Sequence, residues 1–336
     1  MQRTIRDNST SYAIKKFTTT INYMLSRIAD SLFWLNRYME RADGLLRVTY
    51  TNYILSLDKG VNNNITWRPA LEIFTYLEEE KIAELENDTN AALKLLITDT
   101  TNINSLKVIL TRARENARGV QDHITKEVWE QVNHMYHIVN QPDLSSKLLG
   151  YEAVETIEHF SKNSLLFAGV IDTTMPRGLG WSFMNLGRLI ERSTQTIEMV
   201  DKQFAAIEYD LSEPTDIMFW RYLLLSLSGY ELHLKNYHAG HSSKEVLHQV
   251  FANGDFTRSV LYTLNRIAKY LNDVMQENKL EGNNALTKFY GRLHSRVKYV
   301  DFDSLNGITL QQFFKDVNDD IVEFSQRLTQ LYFSYS

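Results

Sequence analysis

The 336-residue sequence contains no cysteine at all. Disulfide bonds, thiolate nucleophiles and cysteine-based zinc or iron–sulfur sites are therefore excluded. Proline is also scarce, at four residues, and the 14 glycines are too few for an all-β fold rich in tight turns. This composition suits long helices that are joined by short loops.

Long apolar segments and a basic surplus are also missing. No uncharged apolar run approaches the roughly 18–20 residues that span a bilayer, and the N-terminus lacks the apolar core of a signal peptide. The net charge of −5 gives no general reason to expect nucleic-acid binding. We therefore predict a cytoplasmic protein that binds neither membrane nor nucleic acid.

The apolar periodicity predicts an all-α fold, because no stretch shows the sustained alternation of a β-strand. We expect a bundle of about ten to twelve helices that forms one domain over residues 24–336. The polar, Thr-rich residues 1–23 are expected to form a loosely attached or irregular extension. A loop is expected at 59–65, and Asp255 is expected to cap a helix. The predicted helices span 24–57, 69–80, 89–98, 103–139, 148–171, 216–239, 242–250, 257–277, 285–300 and a closing segment over 310–331. A further long helix is predicted to follow a loop at 172–180.

One pattern occurs twice, on two helices that each carry Arg-x-x-Glu-Arg. The first copy places Arg37, Glu40 and Arg41 on the face opposite an apolar stripe. The second places Arg188, Glu191 and Arg192 in the same way, always 151 residues later. This repetition indicates either an internal duplication or convergence on one structural need.

A carboxylate between arginines allows two interpretations. In a buried network, Glu40 and Glu191 would accept charge-assisted hydrogen bonds and hold helices in register. In a functional site, the arginines would bind an anionic ligand and a glutamate would serve as acid, base or metal ligand. The duplication fits both, with the two sets meeting across a pseudo-twofold axis.

The densest charge motif is RARENAR, at 112–118. Its residues Arg114, Glu115 and Arg118 are expected to join the two Glu–Arg sets as a third element. The predicted ligand-binding residues are accordingly Arg37, Arg41, Arg114, Arg118, Arg188 and Arg192, and the candidate catalytic residues are Glu40, Glu191 and Glu115.

Histidines offer a metal-binding alternative. Glu245 and His248 have the Glu-x-x-His spacing of di-iron bundles, but the second copy that such bundles need is missing. Two further histidine pairs, 134/137 and 238/241, have no identifiable carboxylate partner. The prediction is therefore no metal and no cofactor. The sequence also has no Gly-x-Gly-x-x-Gly, P-loop or Gly-x-Ser-x-Gly motif.

Several blocks resemble those of the bacterial alpha-E family, which was named for a predicted helical domain with an ER motif. These are MLSRIADSLFWLNRYMERAD, RARENAR followed by Trp129, and GWSFMNLGRLIERSTQT. The later GDFTRSVLYTLNRI and GRLHSRV are similar to its C-terminal blocks. The resemblance covers about 24–333 and assigns the ER positions to Glu40-Arg41 and Glu191-Arg192. One departure is Glu-Arg-Ser-Thr in the second copy, where members often have Glu-Arg-Ala-Asp.

The resemblance implies partners, because members are typically encoded beside, or fused to, a circularly permuted ATP-grasp-type ligase and a transglutaminase-like peptidase. The first hypothesis is therefore a non-catalytic helical module of an ATP-grasp-type system that makes or modifies peptides, gripping or presenting a peptide substrate. The alternative is a stand-alone enzyme that uses the Glu/Arg cluster for acid–base chemistry on an anionic substrate.

Overall fold

The computed structural model describes residues 7–57, 66–212, 215–237 and 242–334, with side chains from Ser26 onward apart from position 242. These residues form helices and no strand, which confirms the all-α prediction. In the described ranges there are fifteen α-helices: α1 (Asp7–Leu57), α2 (Arg68–Phe74), α3 (Glu79–Leu85), α4 (Thr89–Leu93), α5 (Leu106–Gly119), α6 (Lys126–Val139), α7 (Leu144–Leu149), α8 (Ala153–Thr174), α9 (Leu179–Ala205), α10 (Ile217–Ser226), α11 (Tyr230–Asn236), α12 (Ser242–Phe251), α13 (Val260–Glu277), α14 (Asn283–Lys298) and α15 (Ile308–Phe333).

The helix count exceeds ten to twelve mainly because three predicted helices are each divided in two. The segment 69–80 breaks where Thr75 takes an extended conformation, and 103–139 breaks before Thr125, whose hydroxyl caps α6. The segment 216–239 breaks at Ser228, which has a φ of 55°. Both halves of each segment bury apolar residues in the same core. The apolar periodicity therefore continues across each break, and the sequence pattern does not show where the helix is interrupted.

Other boundaries also differ from expectation. Helix α1 begins at Asp7 and not near Met24. The predicted Asp255 cap is wrong, because Ser259 caps α13 by accepting a hydrogen bond from the Tyr262 amide. The predicted 59–65 loop lies outside the described residues.

The long helices form two similar sets of four. In the first repeat, α1 packs on α5 and α8, and α6 packs on both of these. In the second, α9 packs on α13 and α15, and α14 packs on both of these. Short helices follow the first helix of each set, and the order of elements is the same. The duplication read from the ER motifs therefore extends to whole repeats, and one continuous hydrophobic core joins them.

Helices α1 and α9 run parallel at the centre of the molecule. Asn36 Nδ2 donates to the Met184 carbonyl oxygen, and Gly187 lies so close to Phe33 that a Cβ there would overlap the Phe33 carbonyl group. These two contacts are counterparts under the 151-residue offset, since position 33 corresponds to 184 and 36 to 187. A local pseudo-twofold axis therefore relates the two central helices, and it places the two Arg-x-x-Glu-Arg motifs side by side.

Replacement of Gly187 by alanine should be strongly destabilising, because the added methyl group meets helix backbone that cannot rotate away. We expect a loss of at least about 2 kcal/mol in the free energy of unfolding, measured by urea denaturation. Gly169→Ala is the matched control, because it lies in an exposed part of α8 with no atom within 4 Å of the new Cβ. It should gain about 0.5–1 kcal/mol from helix propensity. Equal effects of the two changes would contradict the close approach of α1 and α9.

Candidate functional site

Glu40 lies in a buried ion-pair network between the two central helices. Arg192 grips it in a bidentate manner, with Nε 2.7 Å from Oε1 and Nη2 2.8 Å from Oε2. Arg258, just before α13, donates to the same Oε1 at 3.1 Å and to Asp43 Oδ2 at 2.8 Å. Arg47 also binds Asp43 and reaches the Ser226 carbonyl oxygen at the end of α10. The network thus ties α1 to α9, α10 and the start of α13.

Glu191 is held in the corresponding way by arginines of α1. Arg41 Nε and Nη2 lie 2.6 and 3.1 Å from its two carboxylate oxygens, and Arg37 Nε lies 3.0 Å from Oε2. Arg37 continues to the Ser325 hydroxyl of α15, and Arg41 continues to Asn104 Oδ1 before α5. Each ER glutamate therefore pairs with the ER arginine of the other helix.

The ion pairs set the pKa values of these buried carboxylates. Burial alone would raise the pKa of Glu191, but the charges and hydrogen bonds of Arg41 and Arg37 lower it to about 2. For Glu40, burial is likewise outweighed by Arg192 and Arg258, which hold its pKa below the ordinary value. Both groups are therefore ionised at neutral pH, and neither is poised to exchange a proton there.

The two halves of the network differ at the residue before the serine that caps the next long helix. That residue is Asn104 in the first repeat, before the Ser105 cap, and Arg258 in the second, before the Ser259 cap. Both reach the ER motifs, but Asn104 is neutral whereas Arg258 is charged and occupies Glu40.

Arg188 is displaced as a result. Its counterpart Arg37 binds Glu191, whereas Arg188 forms no ion pair with Glu40. Among the described residues, the one side-chain hydrogen bond of Arg188 goes from Nη2 to Asn185 Oδ1 at 2.7 Å. Its Nε is buried and has no partner among the described residues. Burial, and then repulsion by Arg192, lower the pKa of Arg188. The structure thus brings five of the predicted residues into contact and leaves Arg188 beside them.

The predicted third element lies elsewhere. Ala113 and Ala117 of α5 face the core, which turns the charged side chains of the RARENAR motif away from α1. Arg114 binds Asn133 of α6 and stacks on the Tyr136 ring at 4.5 Å. Glu115 and Arg118 are exposed. The expectation that these three residues join the ER motifs is therefore wrong about their position.

The network includes residues that the sequence did not single out, namely Asp43, Arg47, Asn104 and Arg258. Asp43 and Arg47 had a usable signal, because they follow Glu40 by three and seven residues on one helix face. Asn104 and Arg258 are single residues in loops, and no periodicity points to them.

Glu198, two turns after Glu191 on α9, is a further group that the sequence did not reveal. It lines a cavity of about 380 Å³ between α9 and α15, and a smaller one that reaches Arg41 and Glu191. No described residue forms an ion pair or hydrogen bond with it. Burial, and then repulsion by Glu191, raise its pKa to about 7. Glu198 is therefore a carboxyl group that can exchange a proton near neutral pH.

No group of three or more His, Asp or Glu residues in the described part of the chain is arranged to hold a metal ion. His248 instead lies 2.9 Å from the Tyr237 hydroxyl group through Nδ1, and the 238/241 pair is outside the described residues. Among the residues with described positions, no helix is long and apolar enough to cross a membrane.

Truncation of an ER glutamate should be costly. Glu40→Ala leaves Arg192 buried without its carboxylate and leaves Arg258 with Asp43 alone, and Glu191→Ala removes the carboxylate of both Arg37 and Arg41. We expect each to lower the free energy of unfolding by about 3–5 kcal/mol. The control is Glu158→Ala, which breaks the exposed pair with Lys162 and should cost less than about 1 kcal/mol. A loss below about 1 kcal/mol for both ER glutamates would contradict the structural role.

Glu198→Gln should change how stability depends on pH. The folded-state pKa of about 7 exceeds the ordinary value of 4.5, so the wild-type protein loses stability as pH rises through this window and stays penalised above it. Glutamine cannot ionise, and the variant should gain about 2–3 kcal/mol over wild type at pH 8 relative to pH 5. Urea unfolding at both pH values measures this difference. An unchanged difference between the two proteins would show that Glu198 titrates normally.

Comparison with known proteins agrees with this geometry. A family model named Alpha-E, described as a predicted alpha-helical domain with a conserved ER motif, matches residues 24–333. No curated protein and no solved structure matches the chain. The matched region includes both ER motifs and both four-helix repeats. The chain therefore belongs to the Alpha-E family.

Proposed function

We propose that this protein is a helical accessory module of an ATP-grasp-type system that synthesises or modifies peptides, and that it acts by binding and not by catalysis at its ER motifs. The observation that carries the proposal is the saturation of the two ER glutamates. All four of their carboxylate oxygens already accept hydrogen bonds from arginines. These groups hold the two repeats together and have no free oxygen for a substrate.

The partner in this proposal is the ATP-grasp-type ligase, with the transglutaminase-like peptidase as a second partner. Support comes from the resemblance of the ER blocks, since members of the family are typically encoded beside such enzymes. A cytoplasmic location is part of the same proposal, because ATP-dependent ligation needs the cytoplasmic nucleotide supply.

The outer face of α8 is a surface where such a partner would fit. Leu165 and Leu166 expose 63% and 52% of their surface, although an α-helix of this length has room to bury apolar residues on its inner face. One turn later, a Cβ atom added at Gly169 would have no other atom within 4 Å, so this part of the helix surface is open. An exposed apolar strip of this kind on a helix is typical of a protein–protein contact.

The test is to purify this protein with the ATP-grasp-type ligase encoded beside it and measure complex formation by size-exclusion chromatography and ATP turnover by ADP release. We expect co-elution and a changed turnover rate. Leu166→Glu should weaken the complex by about tenfold or more, because a charge is placed in a desolvated contact. Val322→Glu on α15 is the matched control, since Val322 is also exposed, at 41%. Absence of both co-elution and any effect on turnover would refute the proposal.

A second candidate function is acid–base catalysis on an anionic substrate, and the observation that favours it is Glu198. A carboxyl group with a pKa of about 7 in a cavity near Arg41 meets the usual requirement for a general acid or base, which Glu40 and Glu191 do not. Loss of a reaction in Glu198→Gln, with the ligase complex intact, would favour this alternative. An unchanged reaction in the variant would refute it.

A further inference from the structure

A second cavity, of about 510 Å³, lies between α9 and α13 and includes the loop before α9, and it shares no lining residue with the two cavities that Glu198 lines. Arg188 lines it, and its buried Nε has no hydrogen-bond partner in the part of the chain that the structure describes. The ER region around Arg188 contains three buried carboxylates and six arginines, so positive charge is in excess there. Arg258 occupies Glu40, the carboxylate that would otherwise pair with Arg188. An anionic group bound beside Arg188 would take the place of that carboxylate.

The cavity wall continues from this cationic end to an acidic end. Helix α13 runs antiparallel to α9, as the contact of Ser193 with Thr263 and that of Thr196 with Arg258 establish. Along one face of α13, Arg266 and Lys269 come first, level with Arg188, and Asp273 and Glu277 follow toward the start of α9.

The charges along this face have no ion-pair partners. Lys269, Asp273 and Glu277 form no ion pair with any described residue. The remaining charged pair on the wall neutralises itself, since Arg177 binds Asp172 at 3.1 Å and stacks on the Trp181 ring at 3.7 Å. The cavity is therefore bipolar, with a cationic end at Arg188 and an acidic end at Asp273 and Glu277.

We propose that this cavity binds a short peptide with free termini, whose carboxylate lies against Arg188 and Lys269 and whose ammonium group lies against Asp273 and Glu277. The dimensions support this ligand class. At 1.5 Å per residue, Lys269 and Glu277 are about 12 Å apart along α13, and Arg266 and Asp273 about 10 Å. An extended tripeptide spans about 10 Å, whereas a single amino acid reaches only one end.

The choice of a peptide over other zwitterions rests on the proposed function, which it deepens by naming the ligand of the accessory module. The bipolar cavity is separate from the α8 surface, because α9, α13 and the loop before α9 form it and Asp172, near the end of α8, is the only α8 residue among its lining residues. Failure of peptide binding while the ligase complex still forms would therefore refute this inference alone.

The experiment uses saturation-transfer NMR on the full chain with a mixture of tripeptides that have uncharged side chains and free termini. Two matched mixtures are C-terminally amidated or N-terminally acetylated, and inorganic phosphate is titrated separately by ³¹P NMR. We expect signals from the free peptides, their loss on amidation, and weaker signals on acetylation.

The key variant is Arg188→Gln, which removes the charge but keeps a donor for Asn185. It should abolish the peptide signals without lowering the melting temperature, because it removes an unpaired buried charge. The double variant Asp273→Asn, Glu277→Gln should weaken binding and keep the cavity shape. Arg292, an exposed residue of α14 outside the cavity, provides the control, and Arg292→Gln should bind as wild type does.

Three results would overturn the inference. These are no binding of the free peptides, equal binding by wild type and Arg188→Gln, and Arg188-dependent binding of phosphate but not of peptide. A lower melting temperature of Arg188→Gln would assign Arg188 a structural role. The double variant and the amidated mixture then still decide whether the peptide binds through its two termini.

Discussion

The reciprocal ion pairs between Glu40 and Arg192, and between Arg41 and Glu191, are the interaction on which the rest of the structure depends. The two parallel helices carry the same Glu-Arg dipeptide and satisfy it by exchange, so that each glutamate meets the arginine of the other helix. This exchange requires the helix axes to approach closely, which Gly187 permits at the Phe33 carbonyl. The ion pairs contribute specificity more than net stability, because taking the charges out of water costs much of what their attraction returns.

The pseudo-twofold arrangement explains how the network reaches the other helices. In each repeat, the residue before the serine that caps the second long helix extends toward the ER motifs, as Asn104 does toward Arg41 and Arg258 toward Glu40. The same backbone geometry thus delivers a neutral amide in one repeat and a cation in the other. The ER arginine of the other helix binds each glutamate in both repeats, and the second arginine differs: Arg258 at Glu40 and Arg37 at Glu191, which leaves Arg188 without a glutamate.

The sequence predicts the part of this structure that is periodic. The apolar stripes and the constant offset of 151 identify both central helices, and the Glu–Arg spacing predicts that the charged groups share a face. A high local density of charge does not predict which residues join the Glu–Arg network. RARENAR is the densest charge motif, but its two alanines face the core and Arg114 lies against α6. Proximity to Glu40 depends on which side of α5 faces α1, and this is set by the alanine seam and not by the number of charges. Arg258 and Glu198 were missed because burial and neighbouring charges, and not their sequence pattern, determine their properties.

Two ionisable groups beside the network, Arg188 and Glu198, have no ion-pair partner among the described residues, and their position indicates where a ligand would bind. Arg188 and Glu198 lie on α9, on either side of the saturated pairs, and each is buried against a like charge: Arg192 for Arg188, and Glu191 for Glu198. A protein interior penalises both arrangements, so each lowers the stability of the folded chain. A ligand that neutralises either group relieves that penalty, and its binding is then linked to folding by mass action. The ER motifs thus supply a rigid centre, and the unpaired groups beside it are where binding free energy is available. For this reason we place function at the edges of the Glu–Arg cluster and not within it.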